Sequence, residues 1–69
     1  MEEEIKTVVS ILEEIAELNT MIGMNKENRY LHDQFLNNKA GYVQELKQVL
    51  LKFDMEIEIK MNDLPQWFN

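Results

Sequence analysis

The chain has 69 residues, a formal net charge of −6, one histidine and no cysteine. This length allows a single small domain over residues 1–69, and the lack of cysteine excludes disulfides and cysteine-based zinc sites. The negative charge argues against direct nucleic-acid binding, which needs clustered lysine and arginine. The sequence has no apolar run long enough for a membrane span and no basic start before an apolar run, so we expect a cytoplasmic protein without membrane contact.

Small size also bears on self-association. A core built from so few residues supplies only about 3–5 kcal/mol, and small domains usually need a further source of stability. Disulfides are excluded, so we expect a homo-oligomer. The charge is uneven, because residues 1–24 contain six carboxylates and one lysine, whereas residues 25–52 are mildly basic. This difference favours antiparallel pairing of the two segments.

The first predicted helix covers about residues 3–23, with apolar residues at alternating steps of three and four. This is the seam spacing of a coiled coil, and we expect it to form the oligomer interface. The seam residues are Ile5, Val8, Leu12, Ile15, Asn19 and Ile22. Val9 and Ala16 lie on one side of the seam, and Ile11 and Leu18 lie on the other. The whole arc covers about half of the helical wheel, which indicates two or more neighbouring helices.

Two polar or small residues of this helix have specific expected roles. Asn19 in the seam could fix the register and the oligomeric state, or it could simply reach solvent near the helix end. Gly23 is expected to end the helix in a left-handed conformation.

The second predicted helix covers about residues 26–53, with Asn25 as its N-terminal cap. Its main apolar face consists of Leu31, Phe35, Tyr42, Leu46, Val49 and Phe53, and a second stripe consists of Leu36, Val43 and Leu50. Both stripes pass Gly41 without a change of phase, which favours one continuous helix. The alternative is a pair of helices with a break near residues 38–41.

A short β-strand is predicted at about residues 55–61, where Met55, Ile57, Ile59 and Met61 alternate with polar residues. A continued helix is the alternative, because Phe53, Ile57 and Met61 also have helical spacing. A single strand is unstable alone, so it would pair with its copy in a dimer or with the sheet edge of a partner.

The remaining tail, residues 62–69, is rich in large apolar side chains. Leu64, Trp67 and Phe68, together with Ile57 and Ile59 of the strand, are the candidate partner-binding residues. Tryptophan is enriched at binding hot spots, and chain ends are usually disordered unless other groups hold them. The alternative is that the tail folds back over the helical core.

The sequence offers little for catalysis, and we expect no enzyme activity, cofactor or metal. His32, the single histidine, is interpreted as a structural residue. Glu13, Glu14 and Glu17 form an E-E-x-x-E pattern that resembles the first metal-binding motif of the all-helical nucleotide pyrophosphohydrolases. Those enzymes carry a second E-x-x-D motif, whereas the nearest match here is Glu45 followed by Gln48. The glutamates are therefore expected to form a solvated helix face.

Together these patterns predict a mainly α fold: an antiparallel helical hairpin with a short C-terminal β-strand and an aromatic tail, paired as a dimer. The alternative is an all-α three-helix bundle. The predicted function is that of a small acidic inhibitor or regulator, of the phage or antitoxin type, that covers the surface of a target protein. A basic target would suit the charge. The alternatives are a self-associating structural module and a DNA mimic that inhibits a DNA-binding protein.

Overall fold

The computed structural model describes residues 2–56 and 64–68 of the chain. It contains two helices of 23 residues each, α1 (Glu2–Met24) and α2 (Arg29–Leu51), which pack against each other. The short connection makes them antiparallel. The mainly helical class and the hairpin are therefore confirmed. The described residues contain no strand. Most of the predicted strand, residues 57–61, lies outside the described residues, whereas Met55 and Glu56 are in irregular structure.

The turn between the helices uses two asparagines, and the one that caps α2 is not the predicted one. Asn28, not Asn25, is the N-terminal cap of α2, since its Oδ1 accepts a hydrogen bond from the backbone N–H of Leu31 at 3.1 Å. The prediction for Asn25 was wrong. Asn25 instead donates its side-chain N–H to the carbonyl of Met21 at 2.7 Å. It thus satisfies one of the carbonyl groups left without a partner at the C-terminal end of α1.

Both glycines lie inside helices. Gly41 is within α2, which runs past it without a break, and Gly23 is within α1. Neither has a positive φ angle, so the prediction of a left-handed Gly23 was wrong. Because Asn25 already satisfies a terminal carbonyl, α1 can end without a left-handed glycine.

The end of α2 contains the left-handed residue instead, at Asp54 with a φ of 58°. The N–H of Met55 donates to the carbonyl of Leu50 at 3.1 Å, and the N–H of Asp54 donates to the carbonyl of Leu51 at 3.0 Å. This pair of bonds is the Schellman arrangement that stops a helix. Consequently α2 does not continue into residues 55–56.

The core lies between the two helices and beneath the C-terminal residues. It consists of Ile11, Ile15, Ala40, Val43, Leu46, Leu64 and Phe68, with Val8, Tyr42, Val49 and Leu50 packed around it. On α2 the buried side is centred closer to the second predicted stripe than to the main predicted face. Leu36 and Val43 of the second stripe are buried. On the main face, Phe35 and Val49 are half-buried and Leu31 is exposed. Lys39, in the segment where a break in the helix was the alternative, is also buried.

Candidate protein-binding surface

The wide apolar arc of α1 is divided by the hairpin into a covered half and an uncovered half. Ile11 and Ile15 are buried against α2, and Val8, Leu18 and Ile22 are half-buried beside them. These positions are separated by alternating steps of three and four. The line of contact with α2 therefore runs on the Ile11 and Leu18 side of the predicted seam.

The predicted seam does not stay together as one interface. Val8, Ile15 and Ile22 face the interior, whereas Ile5, Leu12 and Asn19 are exposed. The structure thus places three seam residues inside the hairpin and three on its surface. Exposure of Asn19 agrees with the alternative in which its side chain reaches solvent.

The uncovered half forms a second line of side chains along α1, here named the α1 stripe. It consists of Ile5, Val9, Leu12 and Ala16. The three large side chains are 53%, 49% and 49% exposed, in chain order. Their spacing of four, three and four residues places all four on one side of the helix. Sequence reasoning treated Val9 and Ala16 only as flanks, although the same spacing rule that defined the seam also connects them to Ile5 and Leu12.

Negative charge lies along one side of the α1 stripe. The helix carries six carboxylates and a single lysine, Lys6. On a helical wheel of about 100° per residue, Glu2 and Glu13 border one side of the stripe, and Lys6 and then Glu17 lie farther round on the same side. These three side chains are exposed, and within residues 2–56 and 64–68 they form no ion pair. The stripe is therefore an apolar line with a mainly acidic border on one side.

The acidic start of α1 lies beside the end of α2. The pKa of Glu4 is lowered, chiefly by a hydrogen bond from the amino terminus of the chain and then by its own backbone, with a smaller contribution from the charge of Lys52. Lys52 follows α2, so its charge acts on Glu4 near the start of α1.

In contrast to the exposed α1 stripe, the C-terminal tail is mostly covered, since two of its three large apolar residues belong to the core. Leu64 is 4% exposed and Phe68 is 1% exposed. Both pack in the same cluster as the helix residues. In this conformation neither side chain is accessible to a partner, which corresponds to the alternative in which the tail folds back over the helices.

Trp67 differs from its neighbours in the tail because it remains 60% exposed. Its indole Nε1–H donates a hydrogen bond to Oδ1 of Asn37 on α2 at 2.9 Å. Its ring meets the ring of Phe68 edge-on, with 6.2 Å between the ring centroids. Trp67 is thus the one described tail candidate that still offers apolar surface. Asn37 was not identified from the sequence, because no local pattern relates residues 30 positions apart.

A lysine of α2 completes the attachment of the tail. The Nζ of Lys47 lies 5.0 Å from the centroid of the Phe68 ring, within the range of a cation–π interaction. Beyond Phe68, a cleft lies between the tail and the N-terminal half of α2. It is lined by Arg29, Asp33, Leu36, Asn37, Leu64, Pro65, Gln66 and Trp67. The lining of the cleft contains both charged and apolar groups.

The remaining predicted binding residues, Ile57 and Ile59, lie outside the described residues. Met55, just before them, is 52% exposed. Their predicted role therefore stays a prediction.

The residues considered for catalysis are dispersed over the surface. His32 is partly exposed, and its Nδ1 lies 3.8 Å from a carboxylate oxygen of Asp33. Glu13, Glu14 and Glu17 are exposed on α1. Among residues 2–56 and 64–68, no three histidine, aspartate or glutamate side chains are arranged to hold a metal ion.

Neither described helix is both long and apolar enough to cross a membrane. Comparison of the chain with protein-family models, with curated proteins and with solved structures gives no significant match.

Proposed function

We propose that this chain is a small non-catalytic protein that binds a target protein and regulates or inhibits it by covering part of its surface. The α1 stripe is the observation that carries the proposal. Three aliphatic side chains, Ile5, Val9 and Leu12, are about half exposed in one line. Single exposed apolar residues are common on proteins, whereas a contiguous exposed apolar patch often marks an interaction site.

The proposed site differs from the one suggested by the sequence, because the tail contributes less surface than expected. With Leu64 and Phe68 in the core, Trp67 is the described tail residue that could contact a partner. Its hydrogen bond to Asn37 holds the indole in one position and lowers the entropy lost on binding. We therefore place the main contact on α1 and assign a second, smaller contact to Trp67.

The location and the type of the protein complete the proposal. An acidic, helical, cytoplasmic protein of this size fits an inhibitor or antitoxin encoded by a phage or a mobile element. It needs no cofactor, since occlusion of a surface requires only complementary shape and charge.

The test is affinity capture from host lysate with the tagged full-length chain, followed by quantitative mass spectrometry. Leu12→Lys places a charge in the centre of the stripe, and Leu51→Lys is the matched control, because Leu51 is 62% exposed on α2 and outside the stripe. We expect one foreign protein at near-stoichiometric amount with the wild type and with Leu51→Lys, and its loss with Leu12→Lys. Equal recovery of the same protein by all three would refute the assignment of the site to α1.

A self-associating module is the second candidate, because Ile5 and Leu12 of the predicted oligomer seam are among the exposed residues. It predicts a dimer or larger species at micromolar concentration in sedimentation equilibrium, with Leu12→Lys shifting the protein to a monomer. A wild-type monomer under these conditions excludes it.

A DNA mimic would instead bind its target with strong salt dependence, which the captured complex can be tested for directly.

A further inference from the structure

We infer that the α1 stripe binds an amphipathic helix of the partner, with lysine or arginine along one side of its apolar face. This inference rests on the proposed function and specifies the chemistry of the partner segment. Two properties of α1 support it: the narrow shape of the stripe and the sign of the charge beside it.

The shape of the stripe suits a helix. From Ile5 to Ala16 the stripe runs along about 16 Å of helix axis, or three turns, at about 1.5 Å per residue. It is only one side chain wide, as the steps of four, three and four residues require. Helices pair through such lines of apolar side chains, and amphipathic helices are commonly bound through residues at this spacing.

The charge beside the stripe favours a basic helix. Glu2, Glu13 and Glu17 lie on the exposed side next to the stripe. The one positively charged residue on this side is Lys6, so the net charge beside the stripe is negative. A helix whose apolar face is bordered by lysine or arginine would bring opposite charges to these carboxylates. Such complementarity increases the association rate and disfavours the wrong partners.

The same charges argue against a second copy as the occupant. Two α1 helices packed through their stripes would bring Glu2, Glu13 and Glu17 of each chain close together, with one lysine, Lys6, beside them. Like charges that face each other at the borders of paired helices repel, and these border positions therefore control which helices pair. The partner helix is therefore expected to belong to a different protein.

Synthetic peptides test this inference without knowledge of the natural partner. The first peptide is an amphipathic helix of about five turns with leucine on one face and lysine and arginine beside it. The second has the same leucines with glutamate beside them, and the third has the basic residues but serine in place of leucine. Each is added to the ¹⁵N-labelled full-length chain, and amide chemical shifts are followed by NMR.

We expect saturable shifts that centre on Ile5, Val9 and Leu12 with the first peptide alone. Affinity should fall at least about tenfold in Leu12→Lys, with a smaller loss in Leu12→Glu, because both variants remove the apolar contact but only lysine repels a basic helix. Glu13→Lys should also weaken binding. Glu27→Lys makes the same charge change in the turn, away from the stripe, and should leave affinity unchanged.

Three results would overturn the inference. The first is equal binding of the acidic peptide, the second is a set of shifts centred on the tail, and the third is concentration-dependent dimerisation through the stripe in place of peptide binding. The outcomes remain separate from those of the capture experiment. If the basic peptide binds but no partner is captured, the proposed regulation of a target is refuted and the inferred chemistry of the stripe stands. If a partner is captured but the peptide does not bind, the proposed function stands and the inferred chemistry is refuted.

Discussion

The C-terminal tail and the α1 stripe have similar apolar side chains but very different exposure. Leu64 and Phe68 of the tail are almost completely buried, whereas Ile5 and Leu12 of the stripe are about half exposed. The tail has three kinds of attachment to the hairpin, namely core packing, the Trp67–Asn37 hydrogen bond and the Lys47–Phe68 contact. The two regions show that apolar composition alone does not distinguish a core element from an exposed surface.

The difference follows from the shape of a two-helix hairpin. A second helix covers only part of a wide apolar arc, so the hairpin leaves apolar surface on more than one side. The tail covers part of this surface, and the α1 stripe remains uncovered. Four predictions test this contrast, in order of decreasing expected effect.

The largest effect is expected for Phe68→Ala. Because the ring is 1% exposed, its removal should leave a cavity and lower the free energy of unfolding by about 3–5 kcal/mol, which is comparable to the total stability of a small domain. Urea denaturation followed by far-UV circular dichroism measures the change. A midpoint equal to that of the wild type would show that the tail is not part of the core.

The next effect compares two neighbouring aliphatic residues of α1. Ile15→Ala should lower the free energy of unfolding by about 2–5 kcal/mol, since Ile15 is buried against α2. Leu12→Ala, on the exposed stripe, should change it by no more than about 0.5 kcal/mol. The same denaturation experiment gives both values. If Leu12→Ala were as destabilising as Ile15→Ala, the stripe would be an interior surface and not a binding site.

A smaller effect is expected for Trp67→Phe, which keeps an aromatic ring but removes the indole N–H. Loss of the hydrogen bond to Asn37 should lower the free energy of unfolding by about 0.5–1.5 kcal/mol, toward the low end because the site is exposed. Asn37→Ala should cost a similar amount, and the double variant should cost less than the sum of the two. Strict additivity would contradict a direct bond between these residues.

The smallest effect should be a gain in stability. Gly41→Ala adds a methyl group where no atom other than those of the local helix backbone and the neighbouring residues lies within 4 Å, at a helical position without a positive φ angle. Alanine should therefore raise the free energy of unfolding by up to about 1 kcal/mol. Thermal unfolding of this variant, with Gly23→Ala as a second helical glycine, measures the gain. A loss of stability in Gly41→Ala alone would indicate a break in α2 at this residue.

Much of the fold could be predicted from the sequence because helical periodicity is a local property. The apolar spacing indicated both helices, and the unbroken phase across Gly41 indicated a continuous α2. The width of the apolar arc on α1 also indicated that one neighbour could not cover it. Capping was harder to predict, because Asn25 and Asn28 are both suitable residues and the turn geometry selects between them.

The candidate site was predicted only in part. Two seams fit the spacing on α1, and they share Val8, Ile15 and Ile22. One continues through Ile5 and Leu12, and the other through Ile11 and Leu18, with nothing in the local pattern to separate them. The choice depends on the direction from which α2 packs, so Val9 became part of the exposed surface although it had been a flank.

The sequence by itself therefore determined the two helices, the acidity of α1 and the excess of apolar surface, since composition and periodicity define these properties. Only the tertiary structure decided which half of the α1 arc is covered and that Leu64 and Phe68 enter the core. The physical reason is that burial depends on contacts between residues far apart in the chain. Trp67 and Asn37 are 30 positions apart, and no local spacing rule relates them.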